Sequence, residues 1–325
     1  MLARSHSDSG WNLSVRAVIA LAMVVALIPS AGAEGNTEAS SGSGAAQQPL
    51  RFGSLPAISA VPIIYAEENG LFEQEDVEVE IVPFNSPTER NVALQADQID
   101  AFVGDVMTAI AFRQGGFPVV ITSDIVEDFK LLTSPQSDIS TFAELDGRTV
   151  SLVPGFVLEY IMDKMASANG IAYEVIVITS ISGRFEALLS GQIDAVLFTE
   201  PQASLLAAAG ARVLAGSREY GIKAGAMIFR EGFVTEHRPA VQAFYRAYNR
   251  AVRELDGTDL ADHRELLSAY GFPPDVASRV GGKLELTAAS PIPEETLRDV
   301  MSWLRSKGTQ AEVGEEELTD FEFLP

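Results

Sequence analysis

Two stretches of the chain, ERNVALQADQIDA at residues 89–101 and GRFEALLSGQIDA at residues 183–195, match each other in pattern. Each has arginine at its second position, Ala-Leu at its fifth and sixth, and Gln-Ile-Asp-Ala at its end. In each, a helical pattern of apolar residues passes directly into a short apolar run typical of a buried strand. This repeat predicts that the chain builds two similar lobes.

The sequence around these stretches repeats the same alternation of strands and helices. ENGL at 68–71 and ANGI at 168–171 each close a helix and precede an alternating strand. From Leu50 onward, short strands are separated by helices of about ten residues, which predicts βαβ units and mainly parallel sheets. We therefore predict an α/β protein of two doubly wound lobes with a ligand cleft between them, lobe 1 comprising 50–134 plus 222–325 and lobe 2 comprising 135–221.

The C-terminal portion has a different, helix-rich pattern. A strand near Gly225 is followed by a long amphipathic helix from about Pro239 and by shorter helices around 263–270, 274–280 and 293–307. We expect this portion to return to the first lobe.

Composition excludes several classes of function. The formal net charge of −22 argues against a broad basic surface for nucleic acid or anionic membrane. The chain has no cysteine, so disulfides, thiolate metal sites and cysteine nucleophiles are absent. No G-x-S-x-G elbow, glycine-rich phosphate loop or spaced set of metal ligands occurs in the sequence. We expect a binding protein with no catalytic residues, no metal and no cofactor, and we expect it to be a monomer.

The N-terminus has the pattern of an export signal. Arginines precede an apolar run at 17–28, and the small residues Ala31 and Ala33 form an A-x-A-type cleavage site. The run is shorter than the ~20 residues that span a bilayer. We predict a signal peptide at 1–33, a flexible tether at 34–49, and a mature protein in the periplasm.

Six loops follow strands and precede helices, where open α/β sheets bind their ligands. Free backbone N–H groups at such helix starts favour anions or polar oxygens. The residues predicted to contact ligand are Ser54, Pro56, Asn85, Ser86, Asp105, Gly155, Phe156, Ser180, Ser182, Arg184, Thr199 and Glu200.

Several of these residues have alternative roles. Ser86, Asp105 and Glu200 could cap helices without touching ligand, or the two acids could hold the amino groups of a heterocycle. Arg184 could pair with an anionic group of the ligand, or it could share with its counterpart Arg90 a repeated structural ion pair. Phe156 could stack on a ring or plug the hinge.

The chain from Leu50 to the C-terminus resembles a known family, the substrate-binding proteins of the nitrate/sulfonate/taurine transporter class, including the thiamin-pyrimidine-precursor binders. The resemblance rests on the order of five segments, at residues 62–84, 93–105, 137–155, 187–201 and 237–252. One departure is Asp76, where the family often has glycine. The resemblance implies the type II periplasmic binding protein fold and closure on ligand by hinge bending.

The same resemblance implies a function and a set of partners. It implies an extracytoplasmic protein that captures a small molecule and delivers it to an ABC transporter permease with its ATPase. The ligand would be an aminopyrimidine-like heterocycle or a small sulfonate or oxyanion. Two alternatives are the binding subunit of a membrane sensor and an enzyme on the same fold, such as the fungal pyrimidine synthases, whose Cys-rich motif this chain lacks.

Overall fold

The computed structural model of the protein describes residues 48–270, 272, 283–309 and 313–324. The predicted signal peptide, residues 34–47 of the predicted tether and the predicted helix at 274–280 lie outside the described residues.

Two five-stranded sheets organise the described chain. The first has the order β2-β1-β3-β10-β4, with β1 (Leu50–Ser54), β2 (Val79–Pro83), β3 (Ala101–Asp105), β4 (Val119–Ile125) and β10 (Gly225–Arg230). The second has the order β7-β6-β8-β5-β9, with β5 (Lys130–Thr133), β6 (Arg148–Ser151), β7 (Tyr173–Ile176), β8 (Ala195–Phe198) and β9 (Arg212–Gly216). In each sheet one strand, β10 or β5, runs antiparallel to its two neighbours. The predicted two α/β lobes are therefore confirmed.

Most helices lie at the places predicted from sequence, whereas the short helices at Leu71–Gln74, Glu231–Glu236 and Glu315–Leu318 were not predicted. In the first lobe they are α1 (Val61–Glu68), α2 (Leu71–Gln74), α3 (Pro87–Gln95), α4 (Val106–Gln114), α8 (Glu231–Glu236), α9 (Arg238–Leu255) and α10 (Arg264–Ala269). In the second they are α5 (Val157–Asn169), α6 (Ile181–Leu189) and α7 (Gln202–Ala208). The C-terminal portion adds α11 (Glu294–Ser306) and α12 (Glu315–Leu318).

The repeated Gln-Ile-Asp-Ala motif has one structural role in both lobes. Its aspartate directly precedes β3 or β8 and accepts a hydrogen bond from a backbone N–H of the neighbouring parallel strand, β1 or β6. Asp100 accepts from Arg51 N at 3.1 Å, and Asp194 accepts from Thr149 N at 2.9 Å. Each aspartate also binds the side chain of that same residue. The motif thus fixes the register of the two central parallel strands, which explains its appearance in both halves.

Gly70, Gly170 and Asp76 are turn residues with positive φ. Gly70 and Gly170, the glycines of ENGL and ANGI, have φ of +63° and +65°, the left-handed conformation that ends a helix without steric cost. Asp76 has φ of +58°. Glycine adopts this conformation more readily than aspartate, so the turn at Asp76 is one that glycine would also suit.

The chain crosses between the sheets twice, at residues 126–129 and 221–224. Residues 130–134 are assigned to the first lobe by the sequence analysis, but β5 pairs with β8 and β9 in the second sheet. Residues 126–129, which separate this strand from β4, contain no glycine or proline, so the sequence does not mark where β4 ends and β5 begins. The first crossover therefore lies several residues earlier than predicted.

The apolar core is continuous between the lobes. The largest cluster of buried apolar side chains contains Ile121 and Ile228 of the first sheet, Leu131 and Leu197 of the second, and Leu304 of α11. A second cluster lies within the first lobe, where α9 packs against α1 and α2. The long amphipathic helix therefore does return to the first lobe. Within residues 48–270, 272, 283–309 and 313–324, we find no helix with the length and apolar character that crossing a bilayer requires.

We predict that Asp194→Ala lowers the free energy of unfolding by about 2 kcal/mol, because Thr149 N–H and Oγ lose their acceptor at a partly buried site. Urea unfolding at pH 7 measures this. Asp138→Ala, at an exposed carboxylate of the same lobe, is the control and should change stability by less than about 0.5 kcal/mol. Equal effects of the two substitutions would contradict the role of the motif.

Candidate functional site

A cavity of about 200 Å³ lies between the two lobes. First-lobe residues of its wall come from the ends of β1 and β3, the starts of α3 and α4, and the first crossover. Second-lobe residues come from the loop before α5, the start of α6 and the end of β8. The wall is largely apolar, and its charged side chains are Arg90, Asp105, Glu127 and Arg184.

Half of the residues predicted to contact ligand lie in this wall. They are Ser54, Pro56, Asp105, Phe156, Arg184 and Thr199. The structure does not place the other six in the wall: Asn85, Ser86, Gly155, Ser180, Ser182 and Glu200. Contact of any of them with ligand stays a prediction.

Three of the six outside the wall belong to helix starts. Ser86 Oγ accepts from Glu89 N at 3.2 Å and so caps α3. The carboxylate of Glu89 accepts from Asn85 N at 3.2 Å, one residue before the N-cap N–H that a capping box uses. Ser180 Oγ likewise caps α6, accepting from Gly183 N at 3.1 Å. These contacts satisfy N–H groups that a ligand could otherwise have used.

Asp105 both caps a helix and lines the cavity. Its Oδ1 accepts from Thr108 N at 2.8 Å, and its Oδ2 accepts from Thr108 Oγ1 at 3.0 Å. Burial raises the pKa of Asp105, and the bonds from Thr108 and the charge of Arg90 oppose that rise. The two alternatives for Asp105 are therefore compatible, since the capping carboxylate faces the cavity.

Glu200 joins the lobes through its backbone. Its carbonyl oxygen accepts from Ile58 N in the first lobe at 3.0 Å, while its carboxylate accepts from Ser204 N at 3.1 Å in the first turn of α7. Nearby, Gln202 Nε2 donates to the carbonyl of Pro56 across the cleft at 2.9 Å. The structure thus has the two lobes in hydrogen-bonded contact at one side of the cavity.

The repeated arginines occupy equivalent places but differ in their surroundings. Neither forms an ion pair with a carboxylate in the described part of the chain, so the repeated structural ion pair is not observed. Arg90 lies 4.2 Å from the ring centroid of Phe102 and donates to Val103 O at 2.6 Å. Burial lowers the pKa of Arg90 to about 10, and the charges of Asp105 and Glu127 oppose the decrease.

Arg184 is a buried cation without such compensation. It is 6% exposed, and its Nε has no hydrogen-bond partner among the described residues. One terminal nitrogen donates to Ile178 O at a long 3.4 Å, and the guanidinium lies 5.3 Å from the ring centroid of Phe198. Burial lowers the pKa of Arg184 to about 10, so the group is protonated at neutral pH. An isolated buried cation is costly, and an anion in the cavity would relieve that cost.

Glu127 is a polar wall residue that sequence reasoning missed. It lies in the first crossover, and its Oε1 accepts from Ser59 Oγ at 2.7 Å. Burial raises its pKa. The wall also contains Thr108 and Gln202, which lie in the first turns of α4 and α7 just after predicted loop residues. Extending each predicted loop by one helical turn would have found these two, whereas nothing in the sequence marks Glu127.

A family model described as "NMT1/THI5 like" matches residues 58–255. The chain belongs to the NMT1/THI5-like family. A Haemophilus influenzae protein whose name is "Putative thiamine biosynthesis protein" is 25% identical to this chain over 139 residues. That match covers 42% of this chain and 44% of the relative, so the chain aligns with less than half of that protein's length.

Solved structures show the same fold. The ligand-binding component of an ABC-type import system from Staphylococcus aureus, with zinc bound, has a TM-score of 0.71 at 14% identity, covering 85% of this chain and 98% of its own. The alkanesulfonate-binding protein SsuA of Xanthomonas axonopodis pv. citri, bound to MOPS, has a TM-score of 0.66 at 20% identity, covering 78% and 90%. A desulfurization enzyme, DSZB, has a TM-score of 0.59 at 15% identity, covering 85% and 97%. Binding proteins and an enzyme thus share this fold.

Among the residues that the structure describes, no cluster of three or more His, Asp or Glu could hold a metal ion.

One buried carboxyl near the hinge makes stability depend on pH. Asp124, the penultimate residue of β4, is 7% exposed, and its Oδ1 has no partner among the described residues. Burial raises its pKa to about 6, although Lys223 of the second crossover opposes the rise. The folded protein therefore holds this proton more tightly than the unfolded chain does, and stability falls as pH rises from about 4 to about 6.

We predict that Asp124→Asn removes this fall. The variant should be about 2 kcal/mol more stable than the parent at pH 7, and the difference should vanish below about pH 4. Urea unfolding at several pH values measures it, with the exposed Asp138→Asn as control. A difference that does not depend on pH would show that titration of Asp124 is not the cause.

Proposed function

We propose that this protein is an extracytoplasmic solute-binding protein that captures a small molecule bearing an anionic group and delivers it to an ABC transporter permease. The single observation that carries the proposal is Arg184, a buried guanidinium in the cavity wall whose Nε has no partner among the described residues. Family membership and the fold of import-system binding components support the transport role.

The opposite wall supports a ligand that also carries a hydrogen-bond donor. The first lobe supplies Asp105 and Glu127 together with Arg90, so its charges are mixed, whereas the described wall of the second lobe supplies the guanidinium of Arg184 alone. A ligand whose anionic group faces the second lobe and whose N–H or O–H groups face the first would satisfy both sides. Phe129, Phe156 and Phe198 give the cavity apolar surface for the rest of the molecule.

The position of Glu200 affects the choice between ligand classes. The sequence predicts an amino heterocycle held by Asp105 and Glu200, yet the carboxylate of Glu200 accepts from Ser204 N in α7 and lies outside the wall. Glu127 could take its place, so an aminopyrimidine remains an alternative ligand. The charge of Arg184 favours a sulfonate or another oxyanion over an uncharged heterocycle.

The contacts across the cleft favour a binding protein that closes. Ile58 N–H to Glu200 O and Gln202 to Pro56 O join the lobes beside the cavity, and hinge bending about the two crossovers would break both bonds. A closed shape of this kind can be recognised by a permease or by a membrane sensor. A pull-down of the ligand-bound protein with each membrane partner distinguishes transport from sensing.

We predict that Arg184→Met raises the melting temperature of the ligand-free protein while abolishing stabilisation by an anionic ligand. Methionine retains an apolar side chain where the guanidinium now lies 5.3 Å from the ring centroid of Phe198. It also removes a buried charge, which should stabilise the ligand-free protein by about 1 to 2 kcal/mol. Thermal unfolding of the chain from Glu34 against taurine, alkanesulfonates, nitrate and aminopyrimidines measures both effects. For the parent, ligand at a hundred times its dissociation constant should stabilise by roughly 2.7 kcal/mol.

Glu127→Gln is the matched substitution in the opposite wall. It should preserve the shift given by a simple oxyanion and reduce the shift given by an amine-bearing ligand. A shift with aminopyrimidines alone, lost in Glu127→Gln and kept in Arg184→Met, would overturn the anionic ligand. Chemical alteration of any ligand during incubation would favour the enzyme instead.

A further inference from the structure

The C-terminal helix α11 contacts both lobes. One side of it packs against α4 of the first lobe, the helix that begins at the cavity residue Asp105. Other residues of α11 contact α5 of the second lobe, which begins immediately after the cavity residue Phe156. The lobes are therefore joined by this helix as well as by the two crossovers.

Polar bonds between α5 and α11 form two groups. In the first, Asp299 accepts from Tyr160 Oη at 2.5 Å and from Lys164 Nζ at 2.6 Å. In the second, Lys307, directly after α11, lies with its Nζ 2.8 Å from Glu159 Oε1 and 2.7 Å from Asp163 Oδ2. Both lysines are about one-third exposed, so the two ammonium groups are matched in exposure.

The second group extends to Gly155, the residue before Phe156 of the cavity wall. Glu159 is 9% exposed, and its other oxygen, Oε2, accepts from Gly155 N at 2.6 Å. Gly155 has φ of +83°, so the backbone turns sharply there to present Phe156 to the cavity. The ammonium of Lys307, the carboxylate of Glu159 and the amide of Gly155 thus form a chain of contacts from the end of α11 to the residue that precedes Phe156 of the cavity wall.

Lys307 is the one cation that neighbours Glu159 in the described part of the chain. Asp163, by contrast, also accepts from Trp303 Nε1 at 2.8 Å and from Tyr173 Oη at 2.7 Å. Loss of the Lys307 ammonium would therefore leave Asp163 held and leave the buried Glu159 without its charge partner. A buried carboxylate in that situation moves toward water, and the Gly155 bond is lost with it.

We propose that Lys307 is a positioning residue for the binding cavity. Through Glu159, Lys307 holds the 154–156 loop in place. The proposal rests on the proposed function only in taking the cavity as the ligand site. It assigns to the C-terminal helix a role in the shape of the cavity, although no residue of that helix lines the cavity wall.

The test is amide hydrogen exchange of the ligand-free protein, followed in peptides that cover residues 152–157. In Lys307→Met, exchange in this segment should become about fivefold faster. Lys164→Met removes a matched ammonium from the same pair of helices and should leave that segment unchanged, with a similar melting temperature. Lys307→Arg, which retains a cation, should restore the parental rate. Because no ligand is used, the result is independent of whether the proposed function is correct.

Two outcomes would overturn the proposal. One is equal acceleration by Lys307→Met and Lys164→Met, which would mean that the segment senses only general loosening of the helix pair. The other is an unchanged rate in Lys307→Met. If the methionine variant does not fold, Lys307→Gln, which retains a hydrogen-bond donor, is compared with Lys164→Gln in the same way.

Discussion

The two crossovers between the sheets are the constraint on which the rest of the structure depends. After each crossover the chain enters the other sheet as an antiparallel strand, β5 or β10, placed between two strands that run the opposite way. Each sheet is therefore incomplete without the return of the chain. The carboxyl ends of the parallel strands then face each other, and the helix starts that follow them surround a single cavity.

The buried arginines of the two lobes differ in the charged groups around them. Arg90 lies in the field of Asp105 and Glu127, which opposes the effect of burial on its pKa. Burial lowers the pKa of Arg184 with no such opposing carboxylate among the described residues. Since the two arginines occupy equivalent positions of the repeat, the difference comes from the residues around them. Because the lobes are similar but the charges around the two arginines differ, the two walls of the cavity differ in charge. Two identical lobes would not give this difference.

The C-terminal portion makes the two lobes one structural unit. Apolar side chains of α11 belong to the cluster that contains residues of both sheets, and polar side chains of the same helix bind α5. Bending at the crossovers must therefore also rearrange contacts of this helix. An apolar interface of this kind resists gradual deformation, because close-packed side chains lose contacts as soon as they separate.

The sequence by itself determined the elements and their repetition. The Gln-Ile-Asp-Ala motif, the glycines after α1 and α5, and the Ser86 cap are local signals, because each acts through the backbone within a few residues or on an adjacent strand. Only the tertiary structure decided which loop residues face the cavity. Glu200 and Ser180 satisfy local helix starts, whereas Glu127 enters the wall because the crossover passes beside it. The strand β5 and the contacts of α11 were likewise hidden, since pairing and packing partners distant in the chain leave no periodicity in the sequence.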